Sequence, residues 1–154
     1  MDGGILVKQT LGPVGRDETV SEWLTIDWQD CARKRFRSAT DQGRAVAVDL
    51  EAGDGLAAGD VLWREGTRVI AVRVRPVMVL TAEPASLTEM GLAAYHVGNL
   101  HQPCLVEEGR LVVPDDPIME GLFQQLGIEF VRSPRVLARG FFSSRRAALG
   151  HRHD

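Results

Sequence analysis

The sequence predicts an α+β chain: an N-terminal antiparallel β domain over residues 1–75, a ferredoxin-like βαββαβ domain over 76–140, and a flexible tail over 141–154. Three observations carry that expectation. Before Arg75-Pro76 the chain reads as short strands joined by tight, glycine-bearing turns. After it, strand-like runs are interleaved with two segments whose apolar residues recur at helical spacing. Beyond Gly140 come Phe141-Phe142 and the polar Ser143-Ser144-Arg145-Arg146, and the chain closes on His151-Arg152-His153-Asp154.

In the first part, residues 22–27 and 35–39 are predicted strands. Asp41-Gln42-Gly43 then supplies a turn, its glycine free to take positive φ, into residues 44–50, where Val46, Val48 and Leu50 share one face. A glycine-rich loop over 53–60 leads to a strand at 61–63, and Glu65-Gly66 turns the chain back into 68–74.

The second part opens with a strand at 77–81. Ser86 and Glu89 have capping-box spacing, and Leu87, Met90, Ala94 and Val97 mark a helix that Gly98-Asn99 ends. Residues 104–106 and 110–113 flank Glu107-Glu108-Gly109 as a hairpin. Asp116 caps and Pro117 opens a second helix with Ile118, Leu122 and Leu126 on its apolar face, closed by Gly127. The last strand, 128–131 and 136–137, is interrupted by Pro134, and the order of elements is that of the split βαβ arrangement.

At 154 residues the chain is long enough to bury a core, and a formal net charge of −3 gives no global reason to expect a nucleic-acid or membrane partner. Met1-Asp2-Gly3-Gly4 lacks the basic and apolar regions of a secretory signal. No apolar run approaches the roughly 20 residues that span a bilayer, so a cytoplasmic address is expected. Cys31 and Cys104 lie far apart and are expected to remain thiols.

The candidate chemistry lies in the histidines. His96 and His101 fall within Ala94-Tyr95-His96-Val97-Gly98-Asn99-Leu100-His101-Gln102-Pro103, and His151 and His153 in the tail. Neutral imidazole is a borderline ligand for nickel, copper and zinc, and a flexible His-x-His end can swing onto a site that a rigid domain only half supplies. Taken alone, His101 reads more readily as a helix-end or surface residue than as a ligand. His96, five residues earlier on the helix, need not share its direction and reads as a packed or supporting group; Cys104 could chelate as His-x-x-Cys but starts a predicted strand, which favours burial.

The stretch Tyr95-His96-Val97-Gly98-Asn99-Leu100-His101-Gln102-Pro103 resembles the Tyr-His-x-Gly-Asn-Arg-His-x-Pro signature of the UreE-type urease accessory nickel chaperones. The likeness extends, in order, to Arg33-Lys34-Arg35-Phe36-Arg37, Gly43-Arg44-Ala45-Val46-Ala47-Val48-Asp49-Leu50, Gly59-Asp60-Val61-Leu62 and Leu122-Phe123-Gln124-Gln125-Leu126-Gly127, about residues 20–132. The resemblance implies a homodimer that binds Ni(II) between its C-terminal domains and delivers it, with a GTPase accessory partner, to the urease apoprotein. By position, His101 would meet its symmetry mate, and His151 and His153 would complete the coordination, with His96 and Cys104 as secondary candidates. Zn(II) or Cu(II) would be competing metals. Leu100 stands where the family has arginine, and the tail lacks the long histidine run of a metal store.

Two other classes compete. The basic run 33–37, interleaved with Phe36 on a β module, fits a peptide- or RNA-binding module fused to a ferredoxin-like domain, although the acidic overall balance disfavours nucleic acid. An enzyme is not expected: Glu107-Glu108 and Asp115-Asp116 sit at a turn and a helix start, and no nucleophile with an adjacent base is evident. No Gly-Lys-Ser/Thr follows the 53–59 loop, so GTP binding is assigned to the partner.

Overall fold

The computed structural model describes residues 3–137 of the chain, which divides between Arg75 and Pro76 into two compact units. The fold class is the expected α+β. The N-terminal unit contains β1 (Ile5–Val7), β2 (Glu22–Ile26), a 3-10 turn (Trp28–Ala32), β3 (Arg35–Ala39), β4 (Ala45–Asp49), β5 (Val61–Glu65) and β6 (Arg68–Val74). These strands form two sheets of three, ordered β1-β4-β3 and β2-β6-β5. Val7, Val46 and Val48 from one sheet and Leu24, Ile26, Val72 and Val74 from the other share one buried cluster, the arrangement of a small sandwich.

The antiparallel expectation holds for the hairpins β3–β4 and β5–β6 but not for the whole unit. Each sheet also carries one parallel pair, β1 with β4 and β2 with β6. Parallel neighbours need long connections, and the chain between β2 and β6 supplies one by passing through the other sheet. A buried ion pair fastens β2 to the start of β4: Arg44 Nε donates to Glu22 Oε2 at 2.8 Å, with both side chains under 10% exposed. Such a pair fixes geometry more than it adds stability, yet removing one partner strands a buried charge.

The C-terminal unit contains β7 (Val77–Ala82), α1 (Leu87–Asn99), β8 (Leu105–Glu107), β9 (Arg110–Pro114), α2 (Pro117–Leu126) and β10 (Phe130–Arg135). The sheet order β10-β7-β9-β8, antiparallel throughout, is the ferredoxin-like split βαβ topology. Ala93 and Val97 of α1 and Met119, Leu122 and Phe123 of α2 bury against Leu80, Ala82, Leu111 and Val113 of the sheet.

Three expectations need correction here. Leu87 and Ile118, assigned to the apolar helix faces, are 91% and 60% exposed, because in each helix the first turn projects beyond the sheet-facing stripe. Pro134 does not interrupt the last strand. It sits opposite Met78 within a continuous β10, an edge strand, where a missing N–H is tolerated.

Candidate metal centre

The end of α1 places the candidate ligand. Ser86 caps the helix start, its side chain accepting from Glu89 N–H at 3.1 Å. The sequence marks Gly98-Asn99 as the stop, and the helix does end at Asn99, with Gly98 not among the positive-φ glycines. The residue that turns the chain is His101. Its φ is +56°, the only positive φ at a non-glycine among the described residues.

Two hydrogen bonds hold it there. His101 N–H donates to Gly98 C=O at 3.0 Å and Gln102 N–H donates to Val97 C=O at 3.1 Å. This nested pair satisfies the last helical carbonyls by placing one residue in the left-handed region, a position normally given to glycine. The second helix shows the ordinary solution. At the end of α2, Gly127 (φ +66°) donates to Gln124 C=O at 3.2 Å, and Ile128 donates to Phe123 C=O at 2.9 Å. The two helix ends use the same bonds at the same spacings, and only the first puts a side chain where it is sterically disfavoured, at about 1–2 kcal/mol. A histidine kept at that position projects an exposed imidazole from a backbone fixed on both sides.

The other candidates are placed differently. His96 lies within α1, half-buried, its ring edge-on to Tyr95 at 5.4 Å between centroids. Cys104 is half-buried and packs against the core of its unit, and burial pushes its thiol pKa up, away from the thiolate that binds metal. His151 and His153 lie outside the described residues. Among the described residues no three of His, Cys, Asp and Glu gather in one cluster, so His101 offers a single positioned imidazole rather than a closed cage.

Comparison with known proteins bears on this layout. A family model of the UreE urease accessory protein N-terminal domain matches residues 7–75, and one of the UreE C-terminal domain matches 75–154. The chain belongs to the UreE family of urease accessory proteins. The UreE urease accessory protein of Geobacillus kaustophilus (strain HTA426) is 38% identical over 125 residues, 81% of each chain. That of Lysinibacillus sphaericus (strain C3-41) is 32% identical over 143 residues, 89% of this chain and 95% of its own length. The UreE protein of Staphylococcus aureus (strain MRSA252) is 31% identical over 133 residues, 86% of this chain and 85% of its own. UreE membership places the chain in urease maturation, as an accessory protein rather than the hydrolase itself. No described helix is long and apolar enough to cross a membrane.

Proposed function

We propose that this UreE chain is a non-enzymatic Ni(II) carrier that works as a homodimer in the cytoplasm and hands nickel to the urease apoprotein together with a GTPase accessory partner. One ion is held between two copies by the pair of His101 imidazoles, and His151 and His153 close the coordination. The observation that carries this reading is the left-handed backbone of His101, where glycine would be favoured unless the side chain has work to do. The one exposed imidazole among the described residues is half a site, and a two-fold axis doubles it without a preorganised pocket.

The donor chemistry suits a carrier. Imidazole nitrogen binds Ni(II) well, with Cu(II) and Zn(II) as competitors, yet a few histidines release their cargo more easily than a thiolate cage would. His96, behind the helix end, and Cys104, held as a thiol, take no part in coordination on this reading.

Calorimetric titration with Ni(II), run beside sedimentation of the same samples, tests the assignment. His101→Ala is expected to abolish the tightest site and leave the dimer intact, since the side chain lies outside the buried core. Deleting residues 150–154 is expected to weaken binding or lower the number of ions without removing the His101 site. Unchanged affinity and stoichiometry in His101→Ala would sink the proposal.

A further inference from the structure

The basic run Arg33-Lys34-Arg35-Phe36-Arg37 plays no part in the metal reading, and the fold puts most of it on β3, the end strand of the sheet β1-β4-β3. The hydrogen bonds show which way its backbone points. Leu50 N–H donates to Lys34 C=O at 2.8 Å and Thr40 N–H donates to Arg44 C=O at 2.9 Å. With the register running from Arg35 opposite Asp49 to Ala39 opposite Ala45, the antiparallel alternation turns residues 34, 36, 38 and 40 toward β4. The N–H and C=O groups of Arg35, Arg37 and Ala39 therefore point away from the sheet, without partners among the described residues.

The charges on this edge are unequal. Arg35 Nε is bonded to Asp49 at 2.8 Å and Arg33 to Asp30 at 3.2 Å, but Lys34 and Arg37 meet no carboxylate among the described residues. Across the ladder from Arg37 stands Ala47, and the acid on that face, Asp49, is already paired with Arg35 and Lys8. Nor is there a stacking platform for a nucleic-acid base, because Phe36 packs toward the core and the Arg33 guanidinium lies over its ring at 5.7 Å. An edge with free backbone groups and unneutralised cations is built to take another strand of opposite charge.

We propose that the open edge of β3 is a docking strand for an extended acidic segment of a partner protein, one in which carboxylates alternate along a β-strand. Alternation follows from the geometry. A strand laid against Arg35, Arg37 and Ala39 sends every second side chain to the outer face, beside Arg35 and Arg37, and the others toward the half-buried Phe36 and Ser38.

The test uses the full chain and a fluorescein-labelled peptide of glutamate alternating with threonine, followed by anisotropy. An isomer of the same composition with its glutamates contiguous and an oligouridylate are the comparisons. The alternating peptide is expected to bind more tightly than the isomer. The amides of Arg35, Arg37 and Ala39 should gain hydrogen-exchange protection while those of Phe36 and Ser38 do not change. Arg37→Glu should weaken binding by about tenfold. Equal affinity for both peptides, no binding of either, or no new protection at those three amides in the unmodified chain would overturn the proposal. Tighter binding of the oligouridylate at the same residues would replace it with an RNA site.

Discussion

His101 occupies a backbone conformation that a side chain with a Cβ enters at a penalty, and the opposite end of the same domain shows that the turn needs only glycine. Removing the side chain should therefore separate stability from function. His101→Gly is predicted to stabilise the fold by about 1 kcal/mol while eliminating tight nickel binding, measured by chemical denaturation and metal titration on the same preparation. Loss of stability would mean the imidazole supports the fold. The sequence marked His101 through its place after the helix and put the stop at Gly98-Asn99, but gave no sign that His101 itself makes the left-handed turn. The physical reason lies in Val97, which is fully buried: the helix must carry it into the core and can release the chain only beyond it, so the left-handed residue falls on 101. No composition signal distinguishes a histidine in that conformation from one in an ordinary loop.

Elements whose hydrophobic period is sustained are the ones the sequence made legible. The hairpin β3–β4 with Gly43 at its turn, both helix starts at Ser86 and Asp116, and the first three strands of the ferredoxin-like sheet follow from alternation and capping residues, whereas β10, continuous in the structure, reads as broken at Pro134. What escaped was decided by long-range pairing. The three residues of β1 carry too short a pattern to stand out, and only β4 makes them a strand; the parallel partnership of β2 with β6 is likewise invisible to local reading. The loop over 53–60 shows such long-range constraint at one atom. Gly55 has φ +90°, and a Cβ there would fall 2.0 Å from the carbonyl oxygen of Cys31, to which Leu56 N–H already donates at 2.7 Å. Gly55→Ala is predicted to destabilise the N-terminal unit by about 2 kcal/mol or more, visible as a lower denaturation midpoint. An unchanged midpoint would mean this loop does not pack as described.

For the molecule as a whole, nickel release and unfolding should occur in different pH ranges. Free imidazole titrates near about 6.5 and must be neutral to bind metal, so lowering the pH from about 7.5 to about 5.5 should discharge a histidine-built site. Three of the fold's paired carboxylates, Glu18, Asp49 and Glu107, are moved down, away from that window. Glu18 accepts both a forked bond from Arg64 and the Gly15 N–H, and these hold its carboxyl at about 2, below its ordinary 4.5. A carboxylate with a lowered folded pKa contributes its full stability above the ordinary value and loses it as the pH falls through the folded one. Arg35, then Lys8, lower Asp49 in the same sense. Circular dichroism should therefore stay native across the range in which nickel occupancy falls, and metal retained at the acidic end would argue for ligands other than histidine.

The central claim is that one nickel ion is shared by His101 of two copies, and mixed dimers test it most directly. Wild-type and His101→Ala chains of distinguishable mass, exchanged and examined by native mass spectrometry at limiting nickel, should give metal on wild-type homodimers at one ion per two chains. Mixed dimers, left with a single positioned imidazole, should hold nickel at least about tenfold more weakly, and the substituted homodimer should hold no tight ion. Mixed dimers that bind nickel as tightly as the wild type would contradict the shared site and place the ligands within one chain.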